Sequence, residues 1–468
     1  MIIKIAGYNI DKSLIDQLPN QNIATPETIS AAYARISRSK KSVTELRKAA
    51  LEEVEKARSS NDSIIFEMGH SSVAEHAVFN FDLIGISRYL VETIQKTRLA
   101  SFTEKSQRYV TLDGDYVTPE EIKGTGLERE FNNVIAMQNN LYDLLFARGK
   151  DFLEKNKFEG SKRELNSKAK EDARYMLALA TETQMGMTIN ARSIAKLLRR
   201  LDSIDLVEAK HLKAEIETQV KEIAPSLIRY TTAGEYEKKL HDSIPKIARQ
   251  RKALDFKLIK STEHIDKEIL KRIAFEKYGL ADKELSEWVN GLDEIDRIEI
   301  FMQIFEGMKP FDTAPRAFEI AEFMFEFSIS SCCFGQLKRH RMSTILRNDY
   351  NSELGFVIPP LIKDLQASAE IKIVMKSVHD LYVKLEKTKA GLGNYILTNA
   401  HKLNVCFKAN LRELYHFSRL RSDGHAQWEI RELSEKIEKA IKHEAPLAAN
   451  MLMGKDRFSK QSKFDYKL

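Results

Sequence analysis

Apolar and polar residues alternate along HAVFNFDLIGI (76–86), which puts Phe79, Phe81 and Leu83 on one side of an extended segment. That period of two predicts a half-buried strand. A helical stretch ending in KTR (96–98) follows, then SFTEKSQRYV and YVTPEE. A second run, FMFEFSIS from Phe323, precedes a helix ending in RHR (339–341), and GFVIPP comes next. NARSIAKLLRRL from Asn190 and NLRELYHFSRLR from Asn410 each open an amphipathic helical region, the second continuing with Ala426, Ile430, Leu433 and Ile437 at helical spacing. The two regions close on KEIAPSL at 221 and KHEAPLA at 442. The order of elements therefore recurs after about 220 to 245 residues, which predicts a tandem duplication.

The chain divides on this basis into a first repeat (1–235), a polar linker carrying Pro245 (236–260) and a second repeat (261–468). MIIKIAGY reads as a short N-terminal strand, and long helices mixed with short strands predict an α+β fold with a small antiparallel sheet in each repeat. A length of 468 residues suits two domains, and 43% apolar with 30% charged residues is a globular composition. The net charge of +6 is spread along the chain, so it permits anionic ligands without implying nucleic acid. No run approaches a membrane span and no signal peptide is visible, so a cytoplasmic protein is expected. Cys332, Cys333 and Cys406 are its three cysteines. So few thiols in so long a chain suggest a reducing compartment, with Cys332 and Cys333 inert in an apolar run.

Three short patterns could carry chemistry. GHSSVAEH (69–76) holds two histidines, but His70 and His76 are six apart and diverge on a helix, so no metal site is expected. A helix entry capped by Ser71 or Ser72 accounts for the pattern. In SFTEKSQRY, Ser106 and Arg108 flank Gln107, and a hydroxyl and a guanidinium so placed can share one phosphate. GQLKRHR (335–341) sets three cations in a row where a helix C-terminus favours positive charge.

Together, GHSSVAEH, GISRYL, KTRLASFTEKSQRYV, NAR (190–192), QLKRHR and NLRELYHFSRLRSDGHAQWE resemble the flavin-dependent thymidylate synthase family in both repeats. The resemblance implies an enzyme that converts dUMP to dTMP with methylenetetrahydrofolate, NADPH and bound FAD. It implies FAD contacts at Ser37, His70, Ser72, Glu75, Asn190, Arg192, Arg339, His340, Arg341, Asn410, Arg412 and His425. dUMP contacts fall on Glu104, Ser106, Gln107, Arg108, Arg174, Gln336 and Arg339, and Arg421 matches the arginine that activates the uracil ring. Family enzymes are homotetramers, so a two-repeat chain implies a homodimer acting as a pseudo-tetramer.

The repeats depart from the family pattern in complementary ways. The first has Lys96, Thr97 and Arg98 for the basic triplet, Thr93 for the glutamine and Leu201 for the activating arginine. The second lacks the S-x-R loop and has Asn394 for the phosphate arginine, with Ala314 and Arg316 replacing a flavin histidine and hydroxyl. One composite site pooling both repeats is therefore expected, with a dead mirror image. The alternative is a non-catalytic flavin- or nucleotide-binding relative with degenerate sites.

Overall fold

Four strands of the first repeat form an antiparallel sheet in the order β1-β2-β4-β3: β1 (Ile2–Tyr8), β2 (Val78–Ser87), β3 (Ala100–Glu104) and β4 (Glu182–Asn190). The second repeat builds the same sheet, β5-β6-β8-β7, from β5 (Lys257–Ser261), β6 (Glu322–Ser330), β7 (Thr344–Arg347) and β8 (Lys402–Asn410). Register repeats too: Val78 faces Asn190 and Glu322 faces Asn410. A bulge at Gly85, whose φ of +73° a side chain rarely adopts, gives β2 one extra residue. The protein is thus α+β with two tandem sheets and long helices. This computed structural model describes residues 1–11, 25–36, 39–108, 110, 114–239, 244 and 252–458.

The alternation seen in sequence buries one face of each sheet. Phe79, Phe81 and Leu83 are fully enclosed in the first, as are Phe323, Phe325 and Phe407 in the second. Each such ring contributes about 1.5–3 kcal/mol relative to exposure. The helices that matter here are α1 (Arg88–Ile94), α2 (Gly126–Lys155), α3 (Lys162–Ala173), α4 (Ala191–Asp202) and α5 (Val207–Ile223) in the first repeat. The second contributes α6 (Ser331–Leu337), α7 (Leu411–Arg421) and α8 (Trp428–Glu444).

By its own contacts the chain forms two compact units, residues 1–250 with 359–398, and residues 251–358 with 399–468. Units and sequence repeats therefore do not coincide. Within the first unit the helix Ser368–Thr388 lies against α2, with ion pairs Arg148–Glu370 at 3.1 Å and Lys384–Glu130 at 2.6 Å. The fully buried Gln138 of α2 donates to the Ile396 carbonyl at 2.7 Å. Of the stretch expected as linker, residues 240–243 and 245–251 lie outside the described residues.

Both sheets hand their central strand to a helix through a serine. Ser87 Oγ accepts the Leu90 N–H at 3.0 Å to cap α1, and Ser330 Oγ accepts the Cys333 N–H at 3.0 Å to cap α6. A buried carboxylate locks each junction. Glu208 of α5 accepts the Ser87 N–H and hydroxyl, both at 2.7 Å, while Glu429 of α8 accepts the Ser330 N–H at 2.9 Å and its hydroxyl. In the first unit the Tyr395 hydroxyl also donates to Glu208, at 2.6 Å. Burial pushes the Glu208 carboxyl above its ordinary range against the pull of these donors.

Local expectations shift in three places. α6 ends at Leu337, so Arg339, His340 and Arg341 occupy the turns after the helix, not its last turn. YVTPEE and GFVIPP add only single bridges to the sheets' surroundings, Tyr116 with Thr181 and Phe356 with His401. Ser71–His76 is a 3-10 turn with His70 at its cap position and no side-chain cap from a serine. Among the described residues no helix is long and apolar enough to cross a membrane.

Replacing Glu208 by Ala strands the Ser87 amide and hydroxyl and the Tyr395 hydroxyl. We expect a loss of about 3 kcal/mol in urea unfolding, the scale of orphaned buried polar groups. A change below about 0.5 kcal/mol would show that water replaces the carboxylate freely.

Candidate active site

In the first unit β3 ends at Glu104 and the chain turns, Val110 N–H donating to the Ser106 carbonyl at 3.0 Å and Arg108 N–H to Ser106 Oγ at 3.3 Å. This turn aims Arg108 at α3, where its Nε lies 2.9 Å from Glu171 Oε2. Lys168 approaches the other oxygen at 3.5 Å, and Arg174 Nε donates to the Glu171 main-chain carbonyl at 3.2 Å. Arg108 and Arg174, far apart in sequence, are thus gathered on one buried glutamate. Gln107 is buried beside them in the chain. Glu104 serves the scaffold, accepting from Arg88 at 2.7 Å, Gln95 at 3.2 Å and Thr183 at 3.4 Å.

A second constellation occurs in both units. Asn190 caps α4 by accepting the Ser193 N–H at 2.8 Å, and Asn410 caps α7 through the Glu413 N–H at 2.9 Å. Two residues on, Arg192 pairs with Glu75 at 2.5 Å and Arg412 with Glu319 at 2.8 Å. Arg412 also donates to the Ala314 carbonyl at 2.8 Å, and Arg316 meets Glu319 at 3.2 Å. Each pair borders a pocket. In the first unit it measures about 310 Å³ and touches Gly69, Ser71, Arg192, Arg199 and Tyr230. In the second it measures about 800 Å³ and touches Ala314, Arg316, Arg412, Glu413, His416 and Arg419. His70 and Ser72 are exposed next to the first pocket's Gly69 and Ser71, whereas Ser37 lies outside the described residues.

The third constellation lies in the second unit only. His340 is 3% exposed. Its Nδ1 stands 3.2 Å from Glu413 Oε1, and its Nε2 accepts from Arg421 Nε at 2.9 Å. Arg421 Nη1 donates to Gln336 Oε1 at 3.3 Å. Burial, with Arg421, His416 and Arg339 alongside, drives the His340 pKa well down, so the ring is neutral. Burial and the neighbouring Arg339 pull the Arg421 guanidinium down to about 10, which leaves it charged at neutral pH. Arg339 is exposed, Arg341 is partly buried, and His425 stands apart at 96% side-chain exposure, bonded to Asp423 at 2.8 Å.

The first unit answers this network with a closed one. Arg200, the neighbour of Leu201, donates through Nη1 to the Thr93 carbonyl and the Thr97 hydroxyl, each at 3.2 Å. Burial lowers its pKa. Asn394 belongs to the same unit and donates to the Tyr89 hydroxyl at 3.0 Å. Glu171, Glu413 and Arg200 were not singled out in the sequence. Glu171 and Arg200 adjoin motifs that were, and Glu413 sits where a capping-box acid is unremarkable.

Two antiparallel sheets of one topology, with arginine–glutamate pairs at matched positions, define a duplicated α+β protein. The thymidylate synthase complementing protein family model matches residues 15–226 and 308–447, so this chain belongs to that family. Similarity extends over 83% of the chain and 87% of the UPF0159 protein Ta1429 of Thermoplasma acidophilum, at 24% identity. The flavin-dependent thymidylate synthase of Clostridium tetani is 34% identical over 47% of this chain and 85% of its own length. Among solved structures, the UMP/dUMP methylase PolB of Streptomyces cacaoi, bound with 5-Br dUMP, covers 45% of the chain and 97% of its own. Its identity is 16% and its TM-score 0.36.

Arg200 acts as internal mortar in this description. Arg200→Ala should lower stability by about 1–2 kcal/mol, read as a melting temperature several degrees down. An unchanged melt would mean that its two hydrogen bonds form equally well to water.

Proposed function

We propose that the chain is a flavin-dependent thymidylate synthase, methylating C5 of dUMP with carbon from methylenetetrahydrofolate and reducing equivalents from NADPH. The carrying observation is the partly buried Arg421, held as a cation by Gln336 and a neutral His340. Membership of the family and the named activity of the Clostridium tetani relative support the reading.

FAD fits the residues present. The pocket of about 800 Å³ in the second unit is bordered by Arg316, Arg412, Arg419 and Lys455, with Phe311 and Tyr415 as aromatic surface. Such a set suits a diphosphate joined to flat rings. Arg339, Arg341, Asn410, Arg412 and His425 of the second repeat would hold the cofactor; Ser37, His70, Ser72, Glu75, Asn190 and Arg192 of the first match flavin contacts by motif. Bound there, FAD supplies the hydride that completes the methyl group.

The chain's own residues do the rest. Arg108 and Arg174, already gathered by Glu171, would receive the dUMP phosphate, with Ser106 and Gln107 from the turn; Glu104 would brace that turn. Gln336, Arg339 and Arg421 would orient the uracil. As C5 gains a carbon, negative charge grows on the ring, and a guanidinium fixed in advance stabilises it without reorganising. The Thr93–Thr97–Arg200 counterpart would be inactive, because the Arg200 guanidinium is spent on a carbonyl and a hydroxyl.

A second reading, a flavin- or nucleotide-binding protein without turnover, draws on that closed counterpart. Purified protein that is yellow, bleaches with NADPH and releases tritium from 5-labelled dUMP supports the enzyme. Yellow protein that binds dUMP without tritium release supports the second reading.

Arg421→Ala and Arg108→Ala should each cut dTMP formation by about 100-fold or more, while Arg98→Ala keeps most of it. Full activity in Arg421→Ala would remove the assignment. The pH profile gives an independent check. A base depressed to about 10 keeps its charge below that value and loses it above. Turnover should therefore fall as pH rises through about 10; a profile flat to pH 11 would mean that the Arg421 charge is not used.

A further inference from the structure

We propose that Glu413 and His340 are positioning residues: the Glu413 carboxylate, at the border of the second-unit pocket, holds the buried His340 ring, and the ring in turn sets the guanidinium of Arg421. The inference rests on the function proposed above and assigns His340 a role different from the flavin contact implied by its motif.

The geometry leaves the ring no free polar edge. An arginine Nε–H only donates, so the His340 Nε2 that meets it at 2.9 Å presents a lone pair. The proton of the neutral ring therefore sits on Nδ1 and is donated to Glu413 Oε1 at 3.2 Å. Aromatic rings pack against it in T-shaped contacts as well, Phe417 at 4.8 Å between centroids and His416 at 5.7 Å. Glu413 thus selects the tautomer, the tautomer supplies the acceptor for Arg421 Nε, and Gln336 fixes Nη1. The Arg421 guanidinium is thereby clamped at two points, Nε and Nη1. Glu413 and Arg339 are the charged groups flanking the ring besides Arg421 itself, and His416 is its titratable neighbour.

The duplicated repeat acts as an internal control. Ser193 stands where Glu413 stands, since each amide caps to its asparagine in the same way, Ser193 to Asn190 and Glu413 to Asn410. Thr97, Thr93 and Leu201 occupy the places of His340, Gln336 and Arg421. All four members differ together. A glutamate kept merely as a helix-terminal acid has no reason to vanish with the arginine two shells away, whereas a positioning group for that arginine does. The α7 glutamate also forgoes the usual return to its cap amide and turns to the imidazole.

The test uses the full chain with FAD, in Glu413→Gln and Glu413→Leu variants. Gln retains an oxygen that accepts from Nδ1–H; Leu does not. Glu413→Gln should keep turnover within about threefold of the parent, while Glu413→Leu should lower kcat about 10- to 100-fold with little change in KM for dUMP. Ring nitrogen NMR provides a readout that needs no turnover. The parent and Glu413→Gln should show His340 neutral with the proton on Nδ1 at pH 7, and Glu413→Leu should lose that signature. Unchanged kcat in Glu413→Leu, equal losses in both variants, or an imidazolium or Nε2–H ring in the parent would each overturn the proposal. A parent that makes no dTMP but shows the Nδ1–H ring, lost in Glu413→Leu, would sink the proposed function and leave the pair standing.

Discussion

Withdrawing a guanidinium from water is costly, and the second repeat is arranged around meeting that cost at Arg421. Neither of its direct partners is a carboxylate: His340 and Gln336 give it hydrogen bonds without neutralising it. Nearby Arg339 adds repulsion, and the group's affinity for its proton falls. A cation held in this way stays underpaired until an anion or developing negative charge arrives. The neutral state of His340 follows from the same field, since a third positive charge between two arginines would be unfavourable.

Arg108 and Arg174 are treated in the opposite manner. Arg108 meets an outright carboxylate, Glu171, which also presents its carbonyl to Arg174 and one oxygen to Lys168. Three cationic side chains around one acid remain net positive. Duplication allowed these two designs to separate. Each repeat keeps one of these two clusters, and neutral or self-satisfied groups stand at the place of the other: Asn394 against Tyr89, and Arg200 against Thr93 and Thr97.

Much of this was legible in residue order because period and chemistry coincide there. Alternation in Val78–Ser87 and Glu322–Ser330 marks the strands, and Asn190 and Asn410 mark the helix starts that follow. The helix before the basic triplet stops about one turn short of its expected end, because the residues between Leu337 and His340 carry no stop signal in sequence, while the His340 ring is held by Glu413 in the turn that follows. Glu413, Glu171 and Arg200 were invisible for another reason. Their roles depend on partners tens of residues away, and a charged residue on an amphipathic helix reads as solvated until its partner is known. Ser87 with Glu208, and Ser330 with Glu429, show the same limit, being junctions whose logic exists only once strand and helix meet.

The membership of residues 359–398 in the first unit carries a consequence for biosynthesis. The apolar side of α2, with Phe131, Ile135, Leu141 and Leu145, matures only after Ile371, Val378 and Leu385 have emerged from the ribosome. Glu208 likewise awaits the Tyr395 hydroxyl. The N-terminal half therefore leaves the exit tunnel as an unfinished body with an open hydrophobic flank, and cleavage at the polar connector would yield fragments that still need each other.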